Sequence, residues 1–408
     1  MAHARVIVVG AGPAGSSTAW HLARRGIDVL VLDRARFPRE KPCAEYLSPE
    51  ASRLLDAMGA LGACERAGAA QLAGMMVRSP NGALLRGDFA AAHGFRGFRD
   101  RGLALRRSLL DAILLERARI AGARVVEEER VTGLVRNARG AVAGVEVLDA
   151  RGQSAVRRSD IVVGADGLRS VVARRLGLSR ARRLPRRIAM IAHYRGVDGM
   201  GAYGEMHVER DGYAGIADVG GGLTNVAVVA PAARVKRAAG AAAAFFDGWL
   251  RAHPHLGARL ARAERVDAVR ATGPFAHHAR RAWARGAALV GDAADFYDPF
   301  TGEGIYAALR GGELVAPHIA NALEARSPTD ADAALAAYDA ERRRTFRGKW
   351  RVERLVSLAV AVPALMNRAA RTLGQRKDMA DLFVGVAGDF VPPSEILSLR
   401  YLLRLLAT

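Results

Sequence analysis

The first thirty-three residues constrain this chain more than any other stretch. Val6 to Val9 is a short, apolar, β-branched run of the kind a parallel strand shows when both of its faces are buried. Gly10-Ala-Gly12-Pro-Ala-Gly15 follows, then a stretch from Pro13 to about Arg25 that reads as a helix, stopped by Gly26. A second apolar run, Ile27 to Leu32, ends at Asp33. Gly10 permits a tight turn, Gly12 lets backbone N–H groups approach a diphosphate, and Gly15 lets the helix pack close to the strand. The helix N-terminus, with its unpaired N–H groups and positive dipole end, then faces that diphosphate. Asp33 is placed to accept hydrogen bonds from an adenosine ribose. Its charge would repel a 2′-phosphate, which points to FAD or NAD rather than NADP.

Composition narrows the partners. The net charge of +20, taken alone, suggests nucleic acid or an anionic membrane. Only four of the 61 basic residues are lysine, however, and the arginines are spread along the chain without interleaved aromatics. Solvated arginine-rich faces are therefore expected, with no nucleic-acid partner. Cys43 and Cys64 give neither a disulfide framework nor metal-ligand spacing, so no metal is expected and the cytoplasm is the default compartment. The opening glycines break what could be mistaken for a signal peptide. Leu355 to Met366, bounded by Arg354 and Arg368, is too short to span a bilayer.

Further along, Ser48 reads as a helix N-cap with Pro49 at the first helical position, and Leu54, Leu55 and Met58 share one face. Ser79-Pro-Asn-Gly82 signals a turn between two short strands. Arg106 to Ala121 reads as an amphipathic helix with Leu109, Ala112 and Ile113 on its buried side. Strands are expected at 124–126, 131–135 and 144–148. Ile161 to Gly164, followed by Ala165-Asp166-Gly167, repeats the logic of the opening: a buried strand, a small-residue turn and an acid. Tyr203–Glu209, Tyr213–Val219 and Leu223–Ala230 form an antiparallel meander, and residues 238–265 are Ala-rich and helical. Ala287 to Val290 then leads through Gly291-Asp292 and Pro299 to Gly302 and Gly304, which open another helix. Residues 331–374 and Ile396 to Leu406 are helical, the latter carrying Arg400 and Arg404.

Three blocks in order, Gly10 to Asp33, Gly164 to Gly167, and Gly291-Asp292 with Pro299 to Ile305, resemble the FAD-dependent oxidoreductases of the para-hydroxybenzoate hydroxylase type. That superfamily also holds the geranylgeranyl reductases and flavin-dependent halogenases. The resemblance implies an α/β FAD-binding domain from residues 1–75, 101–180 and 270–330. An antiparallel substrate sheet from 76–100 and 181–269 and a helical region 331–408 complete the expected fold. It further implies that Gly10, Gly12, Ala14 and Gly15 hold the pyrophosphate and Asp33 the adenosine ribose, with Arg34 beside it. Arg106 would lie near the flavin, as would Cys43 and Ala44, and Val131 at the adenine. Asp166 and Gly167 would flank the pyrophosphate, Asp292 the ribityl chain, and Gly302, Gly304 and Ile305 the flavin pyrimidine edge.

Lys41-Pro-Cys43, Leu47-Ser-Pro49 and Thr301-Gly-Glu-Gly-Ile305 are most similar to the geranylgeranyl reductase group. On the strand facing the flavin, however, those reductases carry Tyr-x-Trp-x-Phe-Pro, whereas this chain has Tyr213-Ala-Gly215-Ile-Ala217-Asp218. No counterpart of the halogenase lysine is seen, since Lys41 belongs to the Lys-Pro-Cys loop. A glycine in place of the indole makes room for a planar or bulky substrate, in the apolar, closed pocket that oxygen transfer from a flavin needs. Tyr213 and Pro299 are the candidate catalytic residues. The expected reaction is hydroxylation of an apolar or aromatic small molecule with O2 and NADH or NADPH, in secondary metabolism. Alternatives are double-bond reduction of an isoprenoid or polyene and a flavin-fold binding module without turnover. The basic C-terminal helix is expected to pack on the body, peripheral membrane contact being the alternative.

Overall fold

The computed structural model describes residues 3–91, 93–181, 186–237, 242–275 and 277–406. Its first sheet is built on the strand Ala4–Val9, which pairs in parallel with Val29–Leu32 on one side and Ser154–Gly164 on the other. Arg124–Val126 extends the sheet beyond Val29–Leu32, and Ala287–Leu289 extends it beyond Ser154–Gly164, both in parallel. Val6 to Val9 are all buried, as their unbroken apolar sequence requires of a strand covered on both faces. The opening helix, Pro13–Ala23, packs against the helix Gly304–Glu324 on this sheet. Close approach is possible because Gly312 has no Cβ: one added there would lie 2.5 Å from Ser17 Oγ. Ser17 Oγ also donates to Leu309 O at 2.8 Å.

The second sheet contains Arg187–Arg195, Thr224–Pro231, Gly212–Asp218 and Tyr203–Glu209, in that spatial order and antiparallel. Gly74–Arg78 then joins Tyr203–Glu209 in parallel, and Leu84–Asp88 closes the hairpin expected at Asn81-Gly82. Helices Ala242–Arg251 and Pro254–Leu260 cover one face with Phe246, Trp249 and Leu256. The start of the helical stretch expected at 238–265 falls on 238–241, outside the described residues.

Two details depart from expectation. Leu109 is exposed: the helix Arg107–Ile120 buries Leu110, Asp111, Leu114, Leu115 and Ala118 instead, a stripe rotated by one position. The C-terminal stretch is two helices, Pro393–Leu397 and Leu399–Leu406, separated at Ser398. The second packs through Tyr401, whose hydroxyl donates to Met379 O at 3.0 Å, while Leu399 and Leu403 face outward. Among the described residues no helix is long and apolar enough to cross a membrane.

Candidate active site

Register places the three expected blocks at one edge. Val9 pairs with Leu32 and with Gly164, and Gly164 pairs with Leu289, so the turns after these strands leave the sheet side by side. Ligands of open α/β sheets bind outside this carboxyl edge. Here a cavity of about 780 Å³ runs from the glycine turn to the second sheet.

The three glycines divide their work. At Gly10 (φ +98°) an added Cβ would lie 2.6 Å from Ala165 O, and at Gly15 it would lie 1.7 Å from Gly10 O, so both serve close packing behind the cavity. At Gly12 the nearest atom to such a Cβ is a guanidinium nitrogen of Arg39 at 3.5 Å; Gly12, Pro13 and Ala14 line open space. Arg39 and Arg107 reach over this turn, and Asp111 holds both: Arg39 Nη1 at 2.9 Å, Arg107 Nε and Nη2 at 2.7 Å each. Asp33 lines the cavity with Arg34, and its carboxylate accepts the N–H groups of Ala11 at 2.7 Å and Ala35 at 2.8 Å.

Arg106 is not at the cavity. It precedes the first helical residue in an extended conformation (ψ 135°), and its guanidinium goes to Glu40 at 2.6 Å; the neighbouring Arg107 lines the cavity instead. Val131 is also away from it, buried in the first core from a strand in register with Val147.

Asp166, Gly167 and Asp292 all line the cavity. Asp166 Oδ2 accepts the N–H of Val171 at 2.6 Å, whereas its Oδ1 is buried without a protein partner. Burial pushes the Asp166 carboxyl up, opposed by hydrogen bonds from Ser170, Val171 and Val172. Burial also pushes Asp292 up and Lys41 down, and each opposes the other's shift by its charge. Cys43 and Ala44 line the same wall, with Glu45 N–H donating to Cys43 Sγ at 3.3 Å. Gly302 (φ +73°) takes a left-handed turn against the Tyr46 ring, and Gly304 and Ile305 open the long helix at the cavity. The first-turn N–H groups of a helix have no intrahelical acceptor, so this end offers donors and a positive dipole end.

The opposite wall is the face of the second sheet. One cross-strand row is Ile191, Ala227, Gly215 and Met206; the next is Ala189, Val229 and Tyr213; all of these line the cavity. Tyr213 is buried, and its hydroxyl donates to Asp298 Oδ1 at 2.7 Å, while Arg187 Nη1 holds Asp298 Oδ2 at 2.6 Å. Burial, with the Asp298 charge added, raises the Tyr213 phenol well above its ordinary value, so it stays protonated. Pro299 follows Asp298 on the wall, and His277 and His278 line it too.

Sequence reasoning missed Arg39, Arg107, Asp298 and Arg187. For Arg107 a signal was present, since Asp111 four residues on marks a helical ion pair. Asp298 and Arg187 meet Tyr213 only through the tertiary fold.

These residues fit FAD. The open backbone at Gly12 admits a diphosphate beneath two guanidiniums, two helix N-termini supply donors, and the free Asp166 Oδ1 can accept from a hydroxyl. A family model for the FAD binding domain matches residues 3–352. The chain is 31% identical to digeranylgeranylglycerophospholipid reductase 1 of Methanococcoides burtonii over 326 residues, 77% of this chain and 75% of that one. Among solved structures it resembles the flavin-dependent halogenase CmlS, with TM-score 0.75 and 25% identity over 85% of this chain, spanning 63% of the CmlS chain. PqsL, a probable FAD-dependent monooxygenase from Pseudomonas aeruginosa, shares the fold with TM-score 0.70 and 23% identity, covering 90% of this chain and 99% of that one. A dinucleotide cradle, a complete carboxyl-edge site and these likenesses together make the chain a member of the FAD-dependent oxidoreductases of the para-hydroxybenzoate hydroxylase type.

Proposed function

We infer that this oxidoreductase is a monooxygenase that hydroxylates an apolar or aromatic small molecule, a phenol or polyketide, with O2 and NADH or NADPH. The observation that carries the reading is the row Ile191–Ala227–Gly215–Met206 facing the cavity. It is apolar from end to end, and its Gly215 stands where the resemblance to the geranylgeranyl reductases implies an indole. A flat or bulky substrate can lie on such a floor. Bound FAD would supply the two-electron chemistry and, once reduced, the reaction with O2. Gly12, Ala14, Arg39 and Arg107 would hold its diphosphate, Asp33 the adenosine ribose, and the Gly304 helix end the flavin. Phe275 and Phe296, packed at 5.1 Å, add apolar wall to the pocket. Tyr213, oriented by Asp298, lines the same wall.

A second reading, saturation of isoprenoid double bonds, is favoured by the 31% identity to a protein named as a geranylgeranyl-lipid reductase. One experiment separates the two. The yellow, FAD-loaded protein is incubated with NADH or NADPH and a panel of phenols, polyketides and prenyl compounds under isotopically labelled O2. Gain of one labelled oxygen is expected. Gain of two hydrogens without O2 would overturn hydroxylation in favour of reduction, and a protein that takes up no FAD would remove both.

A further inference from the structure

One buried chain of ionisable side chains leads away from the cavity. Glu45 lines the cavity from a left-handed backbone position (φ +63°) and is 1% exposed. Its Oε1 accepts the Arg107 N–H at 2.8 Å; its Oε2 accepts from Asn225 Nδ2 at 3.0 Å and faces His193 Nε2 at 2.7 Å. On the far side of the ring, Nδ1 faces Asp267 Oδ2 at 2.8 Å, and Asp267 Oδ1 accepts the His193 backbone N–H at 2.9 Å. His193, Asn225 and Ala217 form the cross-strand row next to Ile191, Ala227 and Gly215, so the ring stands on the cavity face of the second sheet.

Charge around this chain is unevenly shared. Asp267 faces Arg270 at 3.2 Å and Arg106, itself shared with Glu40, at 3.6 Å. Among the described residues, the cation within ion-pair distance of Glu45 is His193, because the Arg107 guanidinium is taken by Asp111. A buried carboxylate must be paired or neutral. Two arrangements meet that condition: a Glu45 carboxylate against a His193 imidazolium, or a Glu45 acid against a neutral imidazole. They differ by the place of one proton across a 2.7 Å gap.

We propose that Glu45 and His193 form a proton store for the redox cavity, with Asp267 holding the imidazole in place. The store rests on the FAD-dependent redox chemistry and not on which substrate is right, because both readings consume one solvent proton per turnover. Hydroxylation takes substrate, O2, NAD(P)H and a proton to alcohol, water and NAD(P)+; saturation takes an alkene, NAD(P)H and a proton to alkane and NAD(P)+. In delivery, the Nε2–H bond breaks and its electron pair stays on the now neutral imidazole. An O–H bond forms on Glu45 Oε2, and the acid passes its proton to the acceptor in the cavity. Asp267 keeps the other ring proton on Nδ1. When product leaves and water enters, Glu45 takes a proton from water and returns it to Nε2. His193 thus acts through Glu45 and is a positioning residue.

The test uses the full-length, FAD-loaded protein. Burial opposes the imidazolium, but Glu45 and Asp267 outweigh it and hold His193 above the ordinary value of 6.5. With ¹⁵N-labelled histidine in the wild type, the His193 ring should therefore still be an imidazolium above that pH. An imidazolium, or a neutral ring with its proton on Nδ1 against a Glu45 acid, leaves the store loaded; a neutral ring with its proton on Nε2 at pH 6.5 would overturn the proposal, and this measurement needs no variant. Second, the reduced protein is mixed with O2 alone, so that O2 takes a hydride equivalent and one proton to give hydrogen peroxide. Reoxidation should be flat across neutral pH in the wild type. In His193→Gln it should fall about tenfold per pH unit once the proton must come from solvent, and added imidazole should restore it. Identical pH profiles in the two proteins, measured on the yellow fraction, would overturn the store. Neither arm uses an organic substrate, so failure of the substrate screen leaves this result standing.

Discussion

Gly12 and Gly15 stand three residues apart under opposite demands. A methyl on Gly15 would be driven into Gly10 O at 1.7 Å, whereas one on Gly12 (φ −72°) meets nothing nearer than 3.5 Å. Gly15→Ala should therefore cost about 3 kcal/mol or more, as overpacking of a fixed backbone contact does. Gly12→Ala should leave the apoprotein within about 0.5 kcal/mol of wild type yet weaken FAD binding about tenfold or more, by narrowing the diphosphate cradle. Urea unfolding of the apoproteins and FAD titration by absorbance check the pair; equal effects of the two substitutions on FAD binding and stability would contradict the division. Both glycines were legible because a backbone requirement leaves its mark at one residue. Arg107 carried a mark as well, Asp111 four residues on, but only the fold shows that its guanidinium turns to the cavity while that of Arg106 goes to Glu40.

Elements were readable where the apolar period was long and its ends were marked. The opening helix starts at Pro13, and Ser48 accepts the Ala51 N–H at 3.2 Å as an N-cap should. The buried stripe after Arg106 was misplaced because Leu109 and Leu110 are both apolar and only packing decides which faces in. Helix-on-helix packing also sets a titration that no local pattern shows. His21 lies at 9% exposure on the opening helix, which packs on Gly304–Glu324, and burial lowers it from 6.5 to about 4, with Arg25, Arg310 and Arg53 adding to the effect and Glu313 opposing it. The unfolded chain then binds a proton before the folded one does. Stability is full above about pH 6.5 and falls as pH drops towards 4, by about 3 kcal/mol from this residue. Urea unfolding as a function of pH should show that slope, and His21→Gln should flatten it over the same window. An unchanged slope in the variant would place the loss elsewhere.

At the scale of the molecule, the parts that meet at the cavity come from distant sequence. Glu45 meets His193 across 148 residues and Tyr213 meets Asp298 across 85, separations at which no spacing rule operates. The superposed sheet edges were legible all the same, because each block carried its own strand, turn and acid. The tie between the helix Gly304–Glu324 and the elements that follow it was not. Part of it is Lys349, inside the helix Pro328–Ala361, whose ammonium lies 3.1 Å from Glu303 at the start of Gly304–Glu324 and pairs with Asp389, a left-handed corner residue (φ +67°). All three are at least nine-tenths buried in their side chains, and Lys349 also stands over the Tyr306 ring at 4.5 Å. Burial raises the Glu303 and Asp389 carboxyls, and Lys349 works against that rise. Lys349→Met keeps the length of the side chain and removes its charge, leaving two carboxylates buried together. The loss should be about 3–5 kcal/mol near neutral pH. Without the cation both carboxyls rise further above their unfolded values. The variant's deficit must therefore grow as pH rises through the folded values and shrink as pH falls towards the range where the unfolded carboxyls are protonated as well. Lys349→Arg, which keeps a cation, should lie closer to wild type at every pH. Thermal and urea unfolding of the three proteins across the pH range decide it: a Lys349→Met protein within about 1 kcal/mol of wild type at neutral pH would mean that these carboxyls are neutral in the fold and that the lysine ties nothing together.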